Sequence, residues 1–231
     1  IFFYKTIIFV KYLMHKIVNN LEEIKGKLNQ LKPDLNENLK IIAVSKTFLM
    51  KDIEPLINYG HKDFGENKIQ EAIAKWSDIK DKKPNLKLHM LGKIQTNKVK
   101  FLIPLFDYIH SLDNLKLAKK ISGEEIKKKK KLKIFIQVNL EDESQKNGIE
   151  IKNLNTFYLK CINDLNLNII GLMCLPPQNK NPTECFLLLK KLAKDLNIPE
   201  LSMGMSNDYE EAVKCGSTYI RVGSNIFGKR I

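Results

Sequence analysis

Residues 200–228 read E-L-S-M-G-M-S-N-D-Y-E-E-A-V-K-C-G-S-T-Y-I-R-V-G-S-N-I-F-G. Two short apolar runs, Leu201-Ser202-Met203 and Thr218-Tyr219-Ile220-Arg221-Val222, each end in small polar residues. The first runs into Gly204-Met205-Ser206-Asn207 and the second into Gly223-Ser224-Asn225, with a helical pattern between them. A barrel of alternating strands and helices builds a phosphate site this way. It uses the loops after its last two strands, with backbone N–H groups and a helix N-terminus as donors.

Upstream the same alternation recurs. After a first helix from about His15 to Leu31, strand patterns fall at Ile41–Ser45, Lys62–Phe64, Leu86–Leu91, Tyr108–Ser111, Ile134–Val138 and Ile169–Cys174. With Leu201–Met203 and Thr218–Val222 they make eight. Helical patterns begin near Lys51, Ile69, Thr96, Leu115, Ile151, Pro182 and Asp208. Strands alternating with helices imply parallel β/α units. Ile41-Ile42-Ala43-Val44 and Ile134-Phe135-Ile136-Gln137-Val138 are apolar on nearly every residue, as strands covered on both faces are. The expected fold is a single (β/α)8 TIM barrel with an additional N-terminal helix. The alternative, an open doubly wound sheet, lacks its G-x-G-x-x-G turn after any of the strands. No Pro/Gly/Ser-rich linker divides the chain, so one domain over residues 14–231 is expected.

The 39 basic and 26 acidic residues give a formal charge of +13. Lysine, asparagine and isoleucine are inflated throughout, which accounts for the charge without a polyanionic partner. The densest basic run, Lys127–Lys131, has no interleaved arginine or aromatic residue. It reads as a solvated helix end rather than a nucleic-acid patch, so no nucleic-acid partner is expected. Cys161, Cys174, Cys185 and Cys215 are widely spaced, as in a reduced, cytoplasmic protein. His15, His61, His89 and His110 show no metal-ligand spacing. Residues 1–13, I-F-F-Y-K-T-I-I-F-V-K-Y-L, are apolar but too short to span a bilayer. They carry no cleavage site, arginine or serine. They read as an upstream extension before a natural start at Met14, with an organelle leader as the competing reading.

In a barrel, chemistry sits where strands end at the C-terminal face. Those ends are Ser45-Lys46-Thr47, Gly65-Glu66-Asn67, Gly92-Lys93, His110-Ser111-Leu112-Asp113 and Asn139, followed by the two glycine-serine loops. Lys46 follows four apolar residues and a serine, at the rim of a buried core. Desolvation there favours the neutral amine, which can attack an aldehyde. Most lysines are merely solvated; the predicted phosphate site on the same face is what singles this one out. An amine beside a phosphate cradle suits a ligand with both a phosphate and an aldehyde, and pyridoxal 5′-phosphate (PLP) has both. Arg221 is one of only two arginines. Its planar, permanently charged fork fits the pyridine nitrogen, and would keep that nitrogen unprotonated. Plainer readings stand beside these: a salt bridge for Arg221, turns for Gly204, Ser206, Gly223 and Ser224, and a helix N-cap for Asn67, whose functional reading is a hydrogen bond to the ligand's phenolic oxygen.

The motifs I-I-A-V-S-K-T, D-F-G-E-N-K-I-Q-E-A, H-M-L-G-K-I-Q-T-N-K, H-S-L-D, Q-V-N, G-L-M and L-S-M-G-M-S-N-D-Y-E-E-A-V…G-S-T-Y-I-R-V-G-S-N-I-F-G occur in that order between Ile41 and Gly228, within a likeness that runs from about Met14 to Arg230. They resemble the YggS/PROSC family, the pyridoxal phosphate homeostasis proteins. The resemblance implies a fold-type III PLP barrel similar to the N-terminal barrel of alanine racemase. It implies that Lys46 carries PLP as a Schiff base and that Ser206, Gly223 and Ser224 bind its phosphate. Arg221 then faces the ring nitrogen and Asn67 the ring oxygen. Two positions depart from the family pattern. Leu140-Glu141-Asp142-Glu143 replaces a smaller S-G-E turn, and Cys174 stands where threonine is common. Lys146 and Gly148 keep the family's Lys-x-Gly.

The expected function is binding, buffering and supply of PLP inside the cell, to PLP-dependent client enzymes, by a monomer. Racemisation wants a second acid/base group opposite the lysine. In alanine racemases a second domain and a partner subunit supply a tyrosine for it, and here no tyrosine can be assigned to that face. The alternative is a racemase-like PLP enzyme acting on a small amino acid, with water, His110 or Lys146 as the second group. A cofactor-free Schiff-base aldolase using Lys46 and, last, a basic nucleic-acid module complete the set.

Overall fold

Val18, Leu21, Ile24 and Leu28 recur every three or four residues, and all four are buried on one face of helix α1 (Lys16–Leu31). A 16-residue helix is marginal alone in water, so this stripe, docked on the barrel, holds it. The computed structural model describes residues 15–31, 39–141, 147–177 and 181–228; the predicted upstream extension lies outside them.

From β1 (Lys40–Val44) onward, strand and helix alternate. The order is α2 (Met50–Tyr59), β2 (Asp63–Glu66), α3 (Ile69–Lys82), β3 (Lys87–Met90), α4 (Val99–Leu105), β4 (Tyr108–Leu112), α5 (Leu115–Lys128) and β5 (Lys133–Asn139). There follow a short β6 (Ile149–Glu150), α6 (Ile151–Leu159), β7 (Ile169–Met173), α7 (Pro182–Asp195), β8 (Glu200–Met205), α8 (Tyr209–Lys214), β9 (Tyr219–Val222) and α9 (Ser224–Phe227). Every strand pairing is parallel. The order β4-β3-β2-β1-β9-β8-β7-β5, closed by β4 on β5, is an eight-stranded barrel with helices between its strands. This is the expected (β/α)8 TIM barrel with its additional N-terminal helix.

Differences from the sequence expectation are local. β2 runs on to Glu66, because a glutamate that looks like a strand stop finds buried donors there. β6 pairs beside the end of β5, Val138 opposite Ile149. The helix expected from Thr96 opens as a 3₁₀ turn, Thr96–Lys98. Residues 224–227, read as loop, form α9. The Asn20 side chain donates to Ile226 O (2.8 Å), and Phe227 stacks on Phe48 with ring centroids 4.8 Å apart. The N-terminal helix thus braces the loop that follows the last strand.

Two cores result. The larger lies between strands and helices and includes Phe64, Trp76 and Phe186. The smaller fills the barrel interior with Ile42, Tyr108, Phe135, Met173 and Tyr219. All four cysteines are buried, and burial pushes the Cys161 and Cys174 thiols up to about 12, which keeps them unreactive. The basic run closes α5: Lys129 caps the helix in the left-handed region, Lys130 Nζ donates to Pro104 O (2.9 Å), and Lys131 pairs with Glu125 (3.2 Å). No described helix is long and apolar enough to cross a membrane.

Gly171, from the G-L-M motif, is demanded by packing rather than chemistry. A Cβ there would lie 2.0 Å from the Glu200 carbonyl oxygen on the paired strand. Gly171→Ala is expected to lower stability by about 2 kcal/mol, as overpacking does. The check is a urea transition with a lower midpoint and an unchanged slope.

Candidate functional site

Strand ends at the C-terminal face of the barrel enclose a cavity of about 830 Å³. Lys46, Asn67, Ser206, Arg221, Gly223 and Ser224 all line it. Val44, Leu91, Met173 and Leu175 supply apolar wall, and Leu175 and Met205 stand half exposed at its rim. Six residues that the sequence scatters over 179 positions (46 to 224) are thus brought to one concave surface.

The two glycine-serine loops form one side. Gly204 has φ +91°, in the left-handed region that favours glycine, and a Cβ there would meet Ala212 at 2.6 Å. The pairing of β8 with β9 shifts between Ser202 and Met205. Bulge and turn together carry Ser206 across to the end of β9. There the Gly223 N–H donates to Ser206 Oγ (3.2 Å) and the Asn225 side chain donates to Ser206 O (2.9 Å). The Asp208 carboxylate accepts the Met205 N–H (2.6 Å). Packing does not demand glycine at 223, where a Cβ would make ordinary 3.5 Å contact with Val44. Ser224 opens α9, and the first N–H groups of a helix point outward without intrahelical partners. Two hydroxyls and helix-start N–H groups suit a phosphate.

Lys46 is held by its neighbours in the chain. Ser45 before it is fully buried and donates to Glu66 Oε1 (2.7 Å). Thr47 after it has φ +69°, an uncommon conformation for a β-branched residue, and its N–H is accepted by Glu71. Glu66 Oε1 also accepts from Lys75 Nζ (2.9 Å) and Trp76 Nε1 (2.9 Å), and Lys75 further reaches Ser45 O (2.9 Å) and Glu71 (3.0 Å). The amine therefore extends from a fixed backbone. Sequence reading missed this clamp. Its one visible signal was a pair of glutamates, Glu66 and Glu71, flanking a run otherwise devoted to a strand end and a helix start.

Asn67 is not the N-cap; Lys68 holds that position without a side-chain cap bond. Gly92 packs so close to Asn67 that a Cβ would lie 2.2 Å from the Asn67 carbonyl oxygen, and Ser111 Oγ donates to Gly92 O (2.7 Å). Asn67 is thereby fixed at the cavity wall.

Arg221 is 5% exposed. Its Nη1 donates to Ser202 Oγ (2.6 Å) and its Nη2 to Cys174 O (2.9 Å). Both acceptors are neutral, so the salt-bridge reading fails among the described residues. Burial lowers its pKa, and Asp208 opposes that only at a distance. His110 is not at the cavity. It lies in mid-strand, fully buried, stacked on Phe135 at 4.4 Å. The sequence reading took it for a strand end, whereas β4 continues two residues further, to Leu112. This removes His110 as a second acid/base group. Lys146 lies outside the described residues.

The model of the alanine racemase N-terminal domain matches residues 19–230. A pyridoxal phosphate homeostasis protein of Aquifex aeolicus (strain VF5) is 36% identical over 200 residues, 83% of this chain and 87% of its own length. One of Haemophilus influenzae (strain ATCC 51907 / DSM 11121 / KW20 / Rd) is 34% identical over 227 residues, 93% of this chain and 96% of its own. Among solved structures, PipY of Synechococcus elongatus PCC7942 with PLP bound superposes with a TM-score of 0.79 at 33% identity, covering 88% of this chain and 99% of PipY. Alanine racemase of Clostridium difficile 630 is similar at 14% identity with a TM-score of 0.69, over 94% of this chain and 57% of that one. At that identity the likeness is one of fold.

Two measurements check the electrostatics described above. Lys75→Met strands the buried Glu66 carboxylate and should cost about 3 kcal/mol. Lys120→Met should cost clearly less, because this lysine is half exposed and Lys127 also lies near Glu124 (3.6 Å); urea denaturation compares them. Burial lowers the pKa of His89 and His110, with Asp63 partly opposing at His89 and the His89 and Arg221 charges adding at His110. Unfolded histidines take up protons near pH 6.5 while the buried ones stay neutral. The unfolded state then binds more protons, so stability falls as pH drops through about 6.5. His110→Phe should shrink that slope by up to about 1.4 kcal/mol per pH unit, read from denaturation at pH 7.5, 6 and 5.

Proposed function

This chain belongs to the family of pyridoxal phosphate homeostasis proteins, within the alanine racemase N-terminal domain family, and from that premise we propose that it binds pyridoxal 5′-phosphate in this cavity, buffering and supplying it. The observation that carries the reading is the joint presence of Lys46, Arg221, Asn67, Ser206, Gly223 and Ser224 around one cavity. The residues fit the cofactor's chemistry: a primary amine for its aldehyde, hydroxyls and helix-start N–H groups for its phosphate, and a guanidinium for its ring nitrogen. When bound, the cofactor supplies an aldehyde and an electron-withdrawing ring.

Each residue then has a task. Lys46 would hold the cofactor covalently, its primary amine being the group on this wall that an aldehyde would meet. Ser206, Ser224 and the Gly223 backbone hold the phosphate. Asn67 donates to the phenolic oxygen. Arg221, which does not give up a proton near neutral pH, offers only donors to the ring nitrogen, so nothing there protonates it. The barrel domain is residues 14–231, acting as a monomer in the cytoplasm and handing cofactor to PLP-dependent enzymes.

Holding rather than turnover is favoured by what lines the cavity. Bond-breaking at an amino-acid α-carbon wants an acid/base group on the ring face opposite the lysine. Among the described lining residues the titratable side chains are Lys46, Asp208 and Arg221. Asp208 is engaged by the Met205 N–H, and Arg221 keeps its proton.

The test is the visible absorbance of protein incubated with PLP. Wild type should show a visible band that borohydride removes. Lys46→Ala should lose the band yet keep weaker binding by calorimetry, since phosphate and ring contacts remain. A band that persists in Lys46→Ala, or no binding by wild type, overturns the assignment.

A further inference from the structure

Five side chains from five different strands make one unbroken line of hydrogen bonds through the barrel interior. Arg221 Nη1 meets Ser202 Oγ at 2.6 Å, and Ser202 Oγ meets His110 Nδ1 at 2.8 Å. His110 Nε2 meets His89 Nδ1 at 3.0 Å, and His89 Nε2 meets Asp63 Oδ1 at 3.0 Å. The line starts at the cavity on β9 and ends at the first residue of β2, at the opposite mouth of the barrel. Ser202, His110 and His89 are fully buried. Nothing in the cofactor reading requires the last three members.

The two ends dictate the direction of every bond. Arg221 can only donate. Asp63 can only accept while ionised. Burial opposes its charge, but the hydrogen bond donated by His89, with the Lys40 charge adding to it, holds its pKa below the usual carboxylate value. His89 must therefore carry its proton on Nε2, and, being neutral, must accept at Nδ1. The only proton available to that bond is on His110 Nε2. His110, neutral as well, accepts at Nδ1 from the Ser202 hydroxyl, whose oxygen accepts from Arg221. The reverse direction would set a bare His89 Nε2 against a carboxylate. Both rings are locked in this plane, His89 stacked on Tyr108 at 4.2 Å and 13°, His110 on Phe135 at 4.4 Å and 19°.

We propose that Ser202, His110, His89 and Asp63 are positioning residues for Arg221: a one-directional hydrogen-bond chain, anchored on a carboxylate at the far mouth of the barrel, that fixes how the guanidinium faces the cavity. The proposal rests on the reading that Arg221 meets the cofactor's ring. The chain is not a proton path, because its cavity end does not release a proton. Its effect is orientational. Four bonds polarised in one sense support the buried cation, while the compensating negative charge stays too far away to quench its field at the cavity.

The first arm uses wild-type protein without cofactor and reads the tautomers of His89 and His110 by ¹⁵N–¹H correlation at pH 7. Both should be protonated at Nε2 and bare at Nδ1. An Nδ1–H tautomer or an imidazolium at either residue overturns the proposal, and no variant need fold for this outcome. The second arm compares PLP binding and the visible band in wild type, Ser202→Ala, Ser202→Thr and Asp63→Asn. Ser202→Ala should weaken PLP by about tenfold, the size of one charge-assisted bond, and shift the band. Ser202→Thr, which keeps the hydroxyl, should restore both. Asp63→Asn should shift the His110 Nδ1 resonance and the band from across the barrel, which a local structural role at Asp63 would not do. Variants that keep wild-type affinity and band overturn the proposal while the cofactor reading stands. A wild type that never takes up PLP sinks the cofactor reading and leaves the tautomer arm to decide the chain.

Discussion

A guanidinium that keeps its charge lies 5% exposed at the inner end of the cavity, touched by no described carboxylate. Taking a cation out of water is expensive unless hydrogen bonds replace the water. The identities of the interior side chains follow from that demand. β8 turns a serine inward where an apolar residue would fill the space as well, and the end of β7 offers the Cys174 carbonyl. β3 and β4 place histidines where barrels usually carry branched aliphatics. A carboxylate in direct contact would satisfy Arg221 more simply, but it would neutralise the field that a ligand in the cavity feels. Setting the carboxylate four hydrogen bonds away keeps the charge usable.

The amine side answers to a different constraint, backbone placement. β1 pairs with β9, Ile42 opposite Arg221, so Lys46 and Arg221 belong to adjoining strand ends. Parallel pairing brings strand ends level at one face, and that sets most of where the two side chains stand. The remaining freedom lies in the turn after β1. There Glu66 and Glu71, bridged by Lys75, hold Ser45 and the left-handed Thr47 on either side of Lys46. This clamp lies in the layer between strands and helices. The Arg221 chain lies inside the barrel. Each can be altered without touching the other, so the contributions of the two halves of the site are separable.

How much of this the sequence disclosed follows from range. Strands and helices were legible because burial on both faces writes successive apolar residues and docking on one face writes the spacing of Val18, Leu21, Ile24 and Leu28. The cavity residues were legible because they sit next to strand ends in small-residue loops. Glu66 was misread as a strand stop, and His110 as a strand end, for one reason: a polar residue inside a strand is stable only if partners from other strands satisfy it. Ser45, Trp76 and Lys75 do so for Glu66, and Ser202 and His89 do so for His110. Those pairings are set by barrel register, which no local pattern encodes. α9 escaped notice because four residues are too few to show a period.

The same interior bears on why a barrel of this family, on the reading proposed here, holds its cofactor and does not use it. A pyridine ring withdraws electrons well only when its nitrogen is protonated. A donor that never releases its proton would keep that nitrogen bare. On the proposed reading the cavity would combine a lysine that attaches, serines that grip, and a ring partner that discourages carbanion formation. Turnover would need two changes at once: a proton donor in place of Arg221 and an acid/base group opposite the lysine, whereas the titratable lining residues described are Lys46, Asp208 and Arg221. Either change alone gains little, since a better electron sink without a base and a base without a sink both leave the α-proton in place. On that reading the arrangement is resistant to acquiring catalysis by small steps.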